Sequence, residues 1–206
     1  MNRGAFFSAL RKRNSGVFGT SLSQGAVDGL ETIIEEGMER GTPLEWLAYI
    51  LATAYHETAH TMQPIREFGR GRGRKYGKPV AEHGNQVAYG RGYVQLTWSW
   101  NYQRADRELK LGGKLIANYD MALNEAVAGR ILFQGMEQGW FTGKKLADYI
   151  RPAVSLGPGI KELARVDYVG ARKIINGTDR ARLIAGYASA FEAALRTAGY
   201  GASTTA

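Results

Sequence analysis

One stretch limits the fold of this chain more than any other. Thr42-Pro43-Leu44-Glu45 reads as a helix start. Thr42 caps, Pro43 takes the first helical position, and Glu45 can reach back as the second half of a capping box. Leu44, Leu47, Ala48, Leu51 and Tyr55 then recur along one face. Pro64 bars helix beyond about residue 62. An apolar helix must therefore be buried here, and its end carries His56-Glu57-Thr58-Ala59-His60.

The flanking segments repeat the pattern. Ser23 reads as an N-cap, with Leu22 and Val27 placed as a hydrophobic staple. Val27, Leu30, Ile33 and Ile34 follow at helical period, and Gly37 is expected to end that run. Residues 66–92 are rich in glycine and basic side chains, with few periodic apolar positions, which predicts loops and a short hairpin. Helices return from about Thr97. Leu123, Val127 and Ile131 share a face after an Asp120 cap, and Leu183, Ile184, Tyr187, Phe191 and Leu195 do so after an Asp179 cap. The result is a mostly helical domain with one irregular lobe inserted after the second helix. Residues 201–206 are expected to form a disordered tail.

A chain of 206 residues suits one domain and can bury enough surface to need no covalent staple. It has no cysteine, which removes disulfides, thiolate zinc sites and cysteine nucleophiles together. The apolar run Ala5 to Leu10, broken by Arg11-Lys12-Arg13, is shorter than the ~7–15 residues of a signal-peptide core. No stretch approaches the ~20 apolar residues of a membrane span. With 27 basic and 19 acidic side chains the net charge is +8, so the expected partner is anionic: nucleic acid, or an acidic polymer or surface.

His56-Glu57-x-x-His60 has the form of a zinc-protease signature, with both histidines on one helical face. A catalytic zinc wants three protein ligands. Gln63 and Arg66 occupy the last two slots of the extended pattern, so a third ligand would have to be Glu67, Glu82 or His83. The alternative is Glu57 acting alone as an acid. Trp46, Ile50 and Thr53 lie on its helical face, and a carboxyl beside an indole and an aliphatic group is desolvated and stays protonated near neutrality. That is what protonating a glycosidic oxygen needs, with Glu67 or Glu82 as the second carboxylate. The run Arg66-Glu67-Phe68-Gly69-Arg70-Gly71-Arg72-Gly73-Arg74-Lys75-Tyr76 resembles an RGG-type nucleic-acid segment, and its charge suits an acidic glycan equally. It contains no phosphate loop.

Three segments in order carry a resemblance to a known family. They are His56-Glu57-Thr58 at a helix end, Tyr89-Gly90-Arg91-Gly92-Tyr93-Val94-Gln95-Leu96-Thr97, and Asn101-Tyr102; Ile175-Asn176-Gly177 adds a fourth. Over about residues 45–195 the chain resembles the family 19 glycoside hydrolases, which include chitinases and a group of bacteriophage endolysins. The resemblance implies a mainly α, lysozyme-like helical domain with a small irregular, β-hairpin lobe, one catalytic domain over 1–206. It makes Glu57 the general acid. Gln95, Thr97 and Asn101 take places lining the sugar cleft, Thr97 helping to hold the attacking water, and Asn176 a place contacting substrate and water. Trp98, Tyr102, Tyr89 and Arg91 are expected to shape the cleft with them. The second carboxylate follows the helix glutamate closely in the endolysin branch, which favours Glu67 over Glu82. Ala59-His60 stand where chitinases usually have two glycines, and cysteines are lacking; both push toward the endolysins. So does the region of Phe6-Phe7 and Ser23-Gln24. The implied substrate is bacterial peptidoglycan, cut at the β-1,4 link between N-acetylmuramic acid and N-acetylglucosamine. A chitinase is the first alternative. No metal or other cofactor, no nucleic-acid partner and no membrane insertion are implied, and a monomer is expected. Synthesis in a host cytoplasm without a signal peptide would call for a holin to give access to the wall.

Overall fold

The computed structural model describes residues 1–157, 160–162 and 164–201, with backbone alone for 154–157 and 160–162. All of the expected tail except Gly201 lies outside the described residues. The chain runs through α1 (Arg3–Leu10), α2 (Gln24–Glu39) and α3 (Leu44–Glu57) into a lobe of four two-residue strands: β1 (Ile65–Arg66), β2 (Pro79–Val80), β3 (Gln86–Val87) and β4 (Arg91–Gly92). It returns through α4 (Ser99–Glu108), α5 (Lys114–Ala117), α6 (Glu125–Gln138) and α7 (Leu146–Tyr149). Four more short strands follow: β5 (Ile150–Arg151), β6 (Val154–Gly157), β7 (Ile160–Glu162) and β8 (Arg165–Val166). A 3₁₀ turn at Gly170–Ile174 leads into α8 (Ala181–Thr197). The strands pair antiparallel as β1 with β4, β2 with β3, β5 with β8 and β6 with β7. The expected mainly α domain with an irregular hairpin lobe forms, and the second group of strands, β5 to β8, lies outside the sequence expectation. Among the described residues no helix is long and apolar enough to cross a membrane.

The helix at 44–57 is more central than one apolar face predicts. Every residue from Leu47 to Tyr55 is buried. A helix buried on all sides is a core helix, and α3 packs chiefly on α8, with α2 and α6 alongside. Two glycines of α2 allow the approach. A Cβ on Gly37 would stand 2.9 Å from Leu47 Cδ1, and one on Gly29 would stand 1.7 Å from the Met62 carbonyl oxygen. Gly37 therefore lies inside α2 as a contact position and does not end the helix.

Several expected caps fall elsewhere. Ser23 does cap α2, its side chain accepting from the Ala26 N–H at 3.2 Å. Pro43, however, is the N-cap of α3; Thr42 makes no side-chain cap, and Glu45 turns to Arg196 at 3.0 Å. Asn124, rather than Asp120, caps α6, which leaves Leu123 in the 3₁₀ turn Tyr119–Leu123. α8 starts at a left-handed Arg180, and Asp179 offers only its carbonyl, to Arg172. Leu183 is exposed, so the buried face of α8 runs Ile184, Ala188, Phe191, Leu195.

Candidate active site

Glu57 is the last residue of α3. The helix stops there because Thr58 turns its hydroxyl back to the Ala54 carbonyl at 2.7 Å. The His60 N–H then closes onto the Tyr55 carbonyl at 2.8 Å. This is a left-handed helix terminus, and Ala59 and His60 sit at φ 49° and 70°. His56 and His60 are thus on different segments and do not share a helical face. His60 instead stacks on Tyr55, with centroids 4.2 Å apart, and meets the edge of Tyr187. Its pKa is lowered by burial, as is that of His56, where Glu57 opposes the effect. Among the described residues no three of His, Cys, Asp and Glu converge as metal ligands. His83 is buried among Tyr119 and Gln103, far from a ligand's role.

The surroundings of Glu57 differ from the apolar pocket expected. Trp46 lies eleven residues back, about 16 Å along a helix rising 1.5 Å per residue, and its indole N–H goes to the Ile150 carbonyl at 2.9 Å. Glu57 is paired with Arg172, Nη1 to Oε1 at 2.6 Å, the two side chains 17% and 4% exposed. The same guanidinium donates through Nε to the Asp179 carbonyl at 3.0 Å, which fixes its plane. Oε1 is therefore occupied, while Oε2 has no protein partner among the described residues.

Glu67 reaches the site through the β1–β4 pair. Ile65 faces Gly92 and Arg66 faces Arg91, and the pairing continues as the Glu67 N–H donates to the Gly90 carbonyl at 2.7 Å. Its carboxylate takes the Gly90 N–H at 3.0 Å and the Tyr76 hydroxyl at 2.7 Å. Burial and then this bond push the Tyr76 phenol up to about 12. A side chain on Gly90 would meet Gln95 Oε1 at 2.9 Å and Glu67 Cβ at 3.3 Å, so glycine is required for this approach. Glu82 lies on a separate 3₁₀ turn, Ala81–His83, lining a neighbouring groove.

An open cleft of about 360 Å³ lies between the lobe and the helical body. Glu57, Tyr76, Gln95, Thr97, Trp98, Asn101 and Asn176 line it, with Phe141 and Ile175. Glu67 does not line this cleft; it touches the lining through the hydrogen bond from Tyr76. Gln95 is held in place by donating to the Ile65 and Gly92 carbonyls at 3.1 and 3.2 Å, and Asn101 donates to the Thr97 carbonyl at 2.9 Å. Gln95 and Trp98 adopt φ 53° and 69°, strained for side chains of their kind, as is common where a backbone is held for function.

Three residues expected in the cleft are structural instead. Tyr102 is fully buried and donates to the Tyr89 carbonyl at 2.8 Å. Arg91 lies 3.6 Å over the Tyr89 ring and binds Asp120 at 2.7 Å and the carbonyls of Val87 and Tyr89. Together they pack under the lobe and hold β4, which leads into the turn bearing Gln95. Sequence reasoning in turn missed Arg172, Tyr76 and Phe141. Arg172 stands 115 positions from Glu57, and although Ile175-Asn176-Gly177 lies three residues on, nothing in that motif points to the arginine.

The basic run is a built loop rather than a flexible tether. Arg70, Arg72, Arg74 and Gly77 donate to the carbonyls three residues back, and Gly69, Gly71 and Gly73 all take φ between 75° and 80°. A Cβ on Gly77 would stand 1.8 Å from the Gly71 oxygen. The glycines serve consecutive tight turns.

No protein-family model matches the sequence, and no curated protein matches it. Among solved structures, chitinase C from Streptomyces griseus HUT6037 aligns over 96% of this chain and 92% of that one, at 22% identity and a TM-score of 0.52. A mutant of chitinase C and a bacterial family 19 chitinase align at TM-scores of 0.48 and 0.45, both at 20% identity, covering 97% and 96% of this chain and 92% and 94% of theirs. The chain has the mainly α, lysozyme-like fold seen in chitinase C.

Proposed function

We propose that this chain is a family 19 glycoside hydrolase of the endolysin kind, cutting the β-1,4 link between N-acetylmuramic acid and N-acetylglucosamine. The observation that carries the reading is one cleft holding Glu57, Gln95, Thr97, Asn101 and Asn176, with Glu67 bonded to its Tyr76. These come from four separate stretches of sequence. Glu57 protonates the leaving oxygen through the carboxylate oxygen that Arg172 leaves unoccupied. Glu67 takes a proton from the attacking water, with Thr97 and Asn176 orienting that water. An inverting enzyme keeps its two carboxylates ~6.5–9.5 Å apart with water between them; Glu67 adjoins the cleft through the Tyr76 hydroxyl bound to it and does not itself line it. Peptidoglycan as substrate is supported by the charge of +8 and by Ala59-His60 in place of glycines. A neutral chitin chain is the second reading, favoured by the fold shared with chitinase C. A holin partner and action on the wall after release from a bacterial cytoplasm belong to the same proposal.

Digestion of purified sacculi and of glycol chitin in parallel, with mass spectrometry of the fragments and NMR of the fresh anomers, tests it. Muropeptides ending in a new reducing sugar of inverted configuration are expected, and Glu57→Gln should yield none while remaining folded. Retained configuration, or peptide-bond products, would overturn the reading.

A further inference from the structure

A second groove, of about 400 Å³, lies on the far side of the Tyr76 and Trp98 side chains from Glu57, and both residues line the two spaces. A linear strand leaving the catalytic cleft past Trp98 would enter it. Its walls differ from those of the cleft. Trp100, 56% exposed, lies stacked on Trp98 with centroids 4.5 Å apart, and gives the groove a flat apolar wall. Lys75 and Lys78 line the opposite side, carried on the ordered turns of the basic loop. Both are exposed, and among the described residues neither has a carboxylate within ion-pair distance. Glu82 is the one acidic side chain of the groove, so its walls keep a net positive charge.

Resting on the glycosidase reading above, we propose that this groove is a carboxylate-binding subsite, in which Lys75 and Lys78 select a strand bearing acidic substituents. A neutral N-acetylglucosamine polymer offers the lysines nothing that water does not. A muramic acid strand carries carboxylates at regular intervals, either on stem peptides or on the lactyl group when the peptides are absent. Lysine suits the task, being a strongly hydrated point charge on a flexible stem that can follow a carboxylate whose position varies. Discrimination thus sits one groove away from the reacting bond, in residues the chemistry does not use.

The test compares parent, the double variant Lys75→Ala with Lys78→Ala, and the charge-keeping Lys75→Arg with Lys78→Arg. Substrates are soluble glycan strands with stem peptides, strands stripped of peptide by an amidase, and neutral chitin oligosaccharides. The alanine variant should lower the ratio of kcat/KM on peptide-bearing strands to that on chitin oligosaccharides about tenfold, through KM, and the arginine variant should keep most of it. The difference should shrink in about 0.5 M salt, where unscreened charge interactions extend only a few ångströms. A loss on peptide-bearing strands alone assigns the stem carboxylates, and a loss on stripped strands as well assigns the lactyl group. Equal loss on all three substrates, or no loss on any, overturns the proposal. Calorimetric binding of the peptide-bearing strand to Glu57→Gln protein gives the same comparison without turnover. If the chain cleaves none of the substrates, the glycosidase reading fails, and this titration still decides whether the lysines hold carboxylates.

Discussion

Replacing Arg172 with methionine should destabilise the protein more than any surface change, even though Arg172 lies outside the hydrophobic core. The side chain is 4% exposed and its partner Glu57 17%. Removing one member of a buried ion pair typically costs ~3–5 kcal/mol, because the remaining charge stays desolvated. Glu57 opens onto a cleft of about 360 Å³, where water can reach the abandoned carboxylate, so the lower end applies, about 3 kcal/mol. The lost bond from Nε to the Asp179 carbonyl is contained in that figure. For a chain of this size the cost corresponds to a drop in Tm of roughly 6–12 °C. Glu57→Gln should cost a comparable ~3 kcal/mol, since it leaves the more buried charge without a counterion while the amide oxygen can still accept from the guanidinium. The double variant should then recover part of the loss, with a coupling of at least ~1 kcal/mol in a double-mutant cycle. Urea unfolding, followed by far-UV circular dichroism and tryptophan fluorescence with coincident transitions, measures all four proteins. A cost below ~1 kcal/mol for Arg172→Met, or additivity within ~0.5 kcal/mol, would refute the argument that the pair is desolvated and coupled.

Other outcomes follow from the same geometry. Glu67→Gln should lower turnover of wall glycan by ~10²–10⁴-fold, whereas Glu82→Gln, in the neighbouring groove, should stay within a fewfold; the reverse order in a steady-state assay would move the base to Glu82. Burial raises the Asp120 pKa, but bonds from Arg66 and Arg91 outweigh it, so the carboxyl titrates below its ordinary 3.8. Its folded pKa being depressed, the stability it contributes is present above about pH 4 and lost as pH falls through the folded value. The stability gap between parent and Asp120→Asn should accordingly be widest near neutrality and close on acidification, and a gap that widens in acid would contradict the sign. Ala59→Gly should stabilise by about 1 kcal/mol, since alanine at φ 49° bears the left-handed penalty and makes no compensating contact. His60→Gly should gain less in the same thermal melt, because it gives up the ring stack on Tyr55.

By itself the sequence determined the main helices and the glycine-rich lobe, but neither α1 nor the strands within 150–166. Ser23 at a cap, Pro64 as a stop and the apolar period at 44–55 are local signals, and local signals fix local structure. Glu57 at a helix end was legible from local signals, whereas Gln95, Thr97 and Asn101 were named only through the resemblance of their run to a known family. What tertiary structure alone decided is which residues meet. Thr42 and Asp179 look like caps, yet burial of Glu45 against Arg196 and of Arg172 under Asp179 took those groups elsewhere. Tyr102 and Asn101 are neighbours in the chain, but one is buried under the lobe and the other lines the cleft. A helical face seen from the sequence linked Trp46 to Glu57, although three turns of helix keep them apart. Arg172 was invisible because an ion pair between distant segments leaves no mark on the charged residue itself, even where a motif lies close to it in each segment. Such a contact exists only once α3 and α8 have packed and the 3₁₀ turn at Gly170–Ile174 has docked on α7 and α8.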